Sequence, residues 1–350
     1  MAVGGAREPG AGKGAAEALR TDPARPGRRT PRVIRRMLMP ALAVAVAASG
    51  GAAHGGGTPV ALVTAETENA LLAVSLPSGH VLRRVAMPAD PENLAIVGDR
   101  YAVVVSPRAA AVTVVSLPSL RVVRVLRGFV DPHLAAPTAD GRGAYVTDDG
   151  SGRLVVIRLG ARPRVVRRVL VGAGAHHLSV SPAGNRLWIA LGERARTIVV
   201  LDVSDPWRPR VVGRFDPGFS AHDLAFSSEW RVWVTASDRR AVTIFDSRTL
   251  RPVARVAAGA PPQHVAFGVR QAYVTSGYGG SLEVVDRASG RVRRTVRVPY
   301  GSFNVATFGS FLVTSSLLRG TLTELTDRGR VWMSRRVAPA ARSVAVAVGP

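Results

Sequence analysis

At 350 residues and 47% hydrophobic content the chain has ample material for a core, and with no cysteine it excludes a disulfide framework, a thiolate metal site and a catalytic thiol. Aromatic residues make up 5%, so the core is built mostly of Val, Leu, Ile and Ala; with 36 Gly and 24 Pro punctuating short apolar runs, this points to an all-β fold. The net charge of +23 rests on arginine, Lys13 being the one lysine. It favours anionic partners such as nucleic acid, acidic envelope polymers or lipid headgroups, against the plainer reading of a solvated surface shaped by a GC-rich genome.

Residues 1–36 carry nine basic and three acidic residues, lack periodicity and read as a disordered basic leader. The apolar run from Met37 to Ala48 and the small residues after it make 37–58 the apolar region and exit of a secretory signal peptide. The protein is therefore expected outside the cytoplasm, secreted or in the cell envelope. The run of about a dozen residues, broken by Pro40, falls short of the roughly 20 that span a bilayer. An uncleaved leader is the alternative and the one route to a membrane. Arg35-Arg36 carries little of a twin-arginine signal, and the start of the protein is expected near Val33 or Met37.

From residue 59 to 350 one pattern recurs. First strands begin at ENLAIV (92–97), PHLAAP (132–137), HHLSVS (176–181), HDLAFS (222–227), QHVAFG (263–268), FNVATF (303–308) and RSVAVA (342–347). Their second residues, Asn93, His133, His177, Asp223, His264, Asn304 and Ser343, are spaced by 40, 44, 46, 41, 40 and 39. Four strands per period of about 40–45 residues is the signature of a β-propeller blade. PVALVTAET, NALLAVSL and HVLRRVAM supply the last three strands of a unit, and ARSVAVAV near residue 350 supplies its first. This predicts a seven-bladed propeller of antiparallel sheets whose first blade is closed by both ends of the repeat region.

The stretches AYVTDDG (144–150), VWVTASD (232–238) and AYVTSGY (272–278) resemble the YVTN-type β-propeller repeats, and the resemblance covers all of 59–350. The fourth motif position, usually Asn, holds Asp, Ala or Ser here. The resemblance implies a seven-bladed propeller, commonly exported in bacteria and archaea, and implies no single activity; this fold hosts many.

Within the first strands, Leu or Val follows each marker residue, and then comes a small residue: Ala95, Ala135, Ser179, Ala225, Ala266, Ala306 or Ala345. Small side chains suit strands crowded round an axis, and residues two apart share a face. The markers Asn93, His133, His177, Asp223, His264, Asn304 and Ser343 are therefore expected to ring one mouth of the central channel as a binding site. Five of the seven histidines in the chain map to this level. His133, His177, Asp223 and His264, in consecutive blades, form a candidate site for a transition metal such as Zn, Cu, Ni or Fe, with an open position for water or substrate. Alternation places His176 and His222 on the opposite face. The competing reading has these polar groups satisfying backbone and water at a wet channel.

Asp202, Asp246 and Asp286 close third strands and read as turn caps. Trp188 and Trp233 occupy the Tyr slot of the repeat and read as packing between blades. No nucleophile elbow, HExxH helix or phosphate-binding loop is present, so no catalytic residue is assigned. Three functions stay open. The first is an exported scaffold, monomeric, that binds a protein or small-molecule ligand at its channel mouth and loop face. The second is a metal-binding or redox protein using the His/Asp set, and the third a polyanion binder working through its basic outer strands.

Overall fold

The computed structural model describes residues 58–117, 119–192 and 196–348. The leader and, but for Thr58, the signal-peptide segment lie outside the described residues.

From Pro59 onward the described chain forms seven four-stranded antiparallel sheets, the predicted seven-bladed propeller. The innermost strands are Ala341–Val348, Leu94–Val97, Pro132–Pro137, Leu178–Val180, Ala221–Ser228, Val265–Phe267 and Ser302–Phe308. The first of these closes the ring. Ala341–Val348 pairs antiparallel with Pro59–Ala65, matching Val60 with Ala347 and Leu62 with Ala345. Blades are numbered below from this closed blade.

The sequence sorts strands by depth. Second and third strands are nearly continuous apolar runs because both of their faces pack against neighbouring blades. In blade 2, Tyr101–Ser106 and Ala111–Ser116 each bury five of six residues. Fourth strands such as Arg121–Leu126 and Arg164–Leu170 mix Arg with Val and stay largely exposed, a charged edge that resists pairing with another chain. Pairing between third and fourth strands slips in register at one equivalent place in every blade, from Ala73/Val74 round to Glu324/Leu325. A bulge there increases the local right-handed twist of the outer strands.

The Tyr slot fills the junctions between blades. Trp188 is fully buried and meets Phe215, Phe226 and Phe245 at 5.3–6.4 Å between ring centroids. Tyr145 and Tyr273 donate their hydroxyls across the junctions to the carbonyls of Pro206 (3.2 Å) and Asp327 (3.0 Å).

The next-but-one residue of the motif, Thr, stitches the inner strands together. In blade 5, Thr235 Oγ1 accepts the N–H of Asp223 (2.8 Å) and donates to the carbonyl of Gln263 in blade 6 (2.9 Å). Thr64 and Thr275 make the same pair of bonds from blades 1 and 6, and Thr147 of blade 3 differs only in accepting the N–H of Leu134, one residue past the marker. Ser315 of blade 7 donates to the carbonyl of Arg342 at 2.8 Å. Blades 2 and 4 hold Val105 and Ala190 at this register, as shown by their backbone bonds to Asn93 and His177. There the marker side chain crosses instead: Asn93 Nδ2 donates to the carbonyl of His133 (2.9 Å), and His177 Nδ1 meets Asp223 (3.1 Å).

The turns carry the expected caps. Oδ1 of Asp202, Asp246 and Asp286 accepts backbone N–H groups of Ser204, Arg248 and Ser289, each at 2.9–3.0 Å. Gly320 turns with φ +64°, and a Cβ there would stand 1.7 Å from the carbonyl oxygen of Ala338, so no side chain fits.

Candidate metal centre

The starts of the inner strands converge on one cavity of about 390 Å³. Five of the seven marker residues line it: Asn93, His133, His177, His264 and Asn304. Asp223 and Ser343 are buried behind the wall.

The column one residue earlier also reaches the cavity, supplying His176, His222, Gln263, Phe303 and Arg342. This corrects the expectation that His176 and His222 face away. Strict alternation of faces holds only within a regularly paired strand, and here regular pairing starts beyond the markers. In blades 2, 4 and 6 the inner strand begins one residue after the marker, at Leu94, Leu178 and Val265. In blades 1, 3, 5 and 7 the register slips across this level. Both columns therefore turn into the mouth.

Five imidazoles gather as a result. His133 stacks on His176 at 3.6 Å between centroids, His177 lies 4.5 Å from His222, and His264 stands 4.9 Å from His177. Their ligand nitrogens fall into two groups, His133/His176/His177 and His177/His222/His264, each spanning no more than 4.8 Å.

Asp223 is not part of either group, which corrects its expected place among the ligands. Its Oδ1 faces Nδ1 of His177 at 3.1 Å, and its Oδ2 faces Nδ1 of His264 at 3.3 Å and accepts the N–H of Val265 at 3.2 Å. It holds two imidazoles from behind. Asp149, just past the second strand of blade 3, does the same for His176, with Oδ2 3.0 Å from Nδ1. Sequence reasoning missed Asp149, although it stands in the unusual acidic pair of the TDDG turn. A carboxylate accepting one ring N–H fixes the tautomer and presents the other nitrogen's lone pair outward, the usual second layer around a metal-bound histidine.

The spacing of one pair of presented nitrogens fits an ion. Two nitrogens at about 2.05 Å from a tetrahedral zinc stand about 3.3 Å apart. Nε2 of His133 and Nε2 of His177 are 3.3 Å apart. With Nδ1–H of His177 directed at Asp223, its Nε2 is a bare lone pair pointing at His133.

The electrostatics suit a neutral ligand set. Burial holds the imidazoles of His133 and His222 well below 6.5. Burial also pushes His177 down to about 4, against the opposing pull of Asp223. Burial alone would raise Asp223, yet His264 and His177 together hold its carboxyl below the ordinary carboxylate range. Neutral imidazoles backed by an ionised carboxylate are the form that binds metal. On the blade 2 side, burial raises Glu92 to about 7 although Arg342 Nη2 lies 3.2 Å from it; Arg342 Nη1 also pairs with Glu66 at 2.9 Å.

No protein-family model matches the chain, and no curated protein does. Solved structures match it over most of its length. A functionally unknown protein from Desulfotomaculum acetoxidans is similar with a TM-score of 0.72 at 14% identity, covering 83% of this chain and 99% of its own. Hydrazine synthase from Kuenenia stuttgartiensis matches with a TM-score of 0.66 at 17% identity, over 76% of this chain and 91% of its own. Apo AztD from Citrobacter koseri matches with a TM-score of 0.64 at 11% identity, over 83% and 98%. At these identities the likeness is one of fold.

Proposed function

We propose that the protein is a YVTN-type, exported propeller that binds a divalent transition-metal ion, zinc above all, at its channel mouth. It acts as a binding scaffold, and no reaction is assigned to it. The observation that carries this reading is His177: its Nδ1 is committed to Asp223 and its Nε2 stands at a zinc-ligand spacing from Nε2 of His133. Imidazole-only ligation suits zinc, copper or nickel, and three imidazoles leave a fourth position for water or an incoming group. The carboxylates of Asp223 and Asp149, one hydrogen bond behind the rings, offset the positive charge of the ion. Asn93 and Asn304, whose amides donate to backbone carbonyls of His133 and Arg342, complete the wall without competing for the ion.

The test is elemental analysis of protein purified without a polyhistidine tag, then titration with Zn²⁺ against a chromophoric chelator. The expected result is one equivalent of metal per chain, lost in His177→Asn. Protein that takes up no metal at micromolar Zn²⁺ overturns the reading. Export is tested separately, by fractionating cells that express the full chain; retention in the cytoplasm would refute it.

A further inference from the structure

We infer that the metal site has two overlapping seats that share His177, so that one ion occupies either seat in turn. This rests on the metal-binding reading above and says how that site is built. The donor nitrogens form two triplets, His133/His176/His177 and His177/His222/His264, with His177 the common member. Among the described residues, no group of three ligand nitrogens within 4.8 Å takes a member from each of the pairs His133/His176 and His222/His264. Five nitrogens therefore do not converge on one point.

His177 has one nitrogen to give. Its Nδ1 faces Asp223, so Nε2 alone is presented, and one lone pair serves one ion at a time. Two ions, each with three imidazoles, would need that lone pair twice. Each seat is equally well supported from behind. The blade 3–4 seat has His176 held by Asp149 and His177 held by Asp223, and the blade 4–6 seat has His177 and His264 both held by Asp223. An ion can exchange the pair His133/His176 for the pair His222/His264 while His177 stays bound. Such a site suits an ion that is passed on rather than one locked in place.

The test uses the full chain, Zn²⁺ and four proteins: wild type, H133N/H176N, H222N/H264N and H177N. Asparagine fits the marker column, where Asn93 and Asn304 stand naturally; glutamine versions serve if a variant fails to melt cooperatively. For one ion with two alternative seats, association constants add, so the wild-type constant equals the sum for the two double variants. The expected result is one equivalent of zinc for wild type and for each double variant, with wild-type affinity within about twofold of the tighter double variant. H177N is expected to lose at least about 100-fold.

A folded double variant weakened more than about 100-fold would show a single seat. A wild-type constant more than tenfold above the sum would show all five rings on one ion. Two equivalents at comparable affinity, or H177N binding like wild type, would show independent sites. Each of these overturns the shared-seat arrangement while leaving metal binding intact. A wild type that binds no zinc overturns the metal-binding reading itself.

Discussion

The carboxylate of Asp223 lies 3.1 Å from Nδ1 of His177, although the two residues belong to different blades. One bond therefore does two things: it joins blades 4 and 5, where the bridging Thr is replaced by Ala190, and it sets the tautomer of the ring central to the candidate site. Stability and ligand affinity are coupled at this point. Asp223→Asn keeps the shape but offers a single acceptor oxygen where two imidazole N–H groups now find one each. Zinc affinity is expected to fall 10–100-fold, and stability by about 1.5–3 kcal/mol for the lost charge-assisted bonds. Isothermal titration and denaturant unfolding read the two effects; a variant that loses only stability would separate them.

Thr235→Val tests the stitch between blades in isolation. The substitution is close to isosteric, yet it leaves the N–H of Asp223 and the carbonyl of Gln263 without the hydroxyl that now serves both. The expected loss is about 1–3 kcal/mol, seen as a lower midpoint in urea, with zinc stoichiometry unchanged. An unaltered midpoint would mean that backbone pairing alone holds the blades.

Trp188 and Trp332 should part company on truncation. Trp188 is fully buried among Phe215, Phe226 and Phe245, and Trp188→Ala opens a cavity worth roughly 3–5 kcal/mol. Trp332 is 59% exposed on an outer strand, and Trp332→Ala should change stability by no more than about 0.5 kcal/mol. Equal effects would contradict the packing described.

The metal-free protein should lose stability on mild acidification. His177 is held near 4 when folded, against 6.5 when free, and His133 and His222 are lowered in the same direction. Between those values these three imidazoles bind more protons in the unfolded chain, so their contribution falls as pH drops from about 6.5 towards 4. Glu92, raised to about 7 when folded, acts in the opposite direction over the same window. One tenfold change in proton affinity is about 1.4 kcal/mol, which puts the share of His177 at roughly 3 kcal/mol. Asp223 has the opposite sign of dependence on a different window. Its folded value is depressed, so its contribution is full above about 4 and is lost only in stronger acid. Melting curves of wild type and His177→Asn at pH 7, 5.5 and 4.5 check this; parallel curves would assign the acid sensitivity elsewhere.

The repeat made the architecture legible because each blade states the same strand order, and a period of about 40 residues admits few folds. It also identified the marker column, because its residues are polar where the two columns that follow are apolar and small. It could not show that the preceding column shares the cavity. His176 and His222 were placed by an alternation rule that the inner strands obey only from Leu178 and Leu224 onward. Nor could residue type alone distinguish a carboxylate that binds an ion from one that binds the ligands. Asp223 sits in the ligand column yet turns both oxygens to its neighbours, a matter of side-chain direction that spacing does not carry.

The strand Ala341–Val348 reaches back to Pro59–Ala65, and Arg342 pairs with Glu66 across 276 positions of sequence. Bringing such distant segments together costs about 5 kcal/mol of chain entropy, so this contact is expected among the last to form. Until it does, PVALVTA has its channel-side edge open, uncharged and rich in β-formers, the kind of edge that recruits another molecule. The final strand thus guards against self-association during maturation, and conditions that loosen it should produce aggregates well before the remaining six blades unravel.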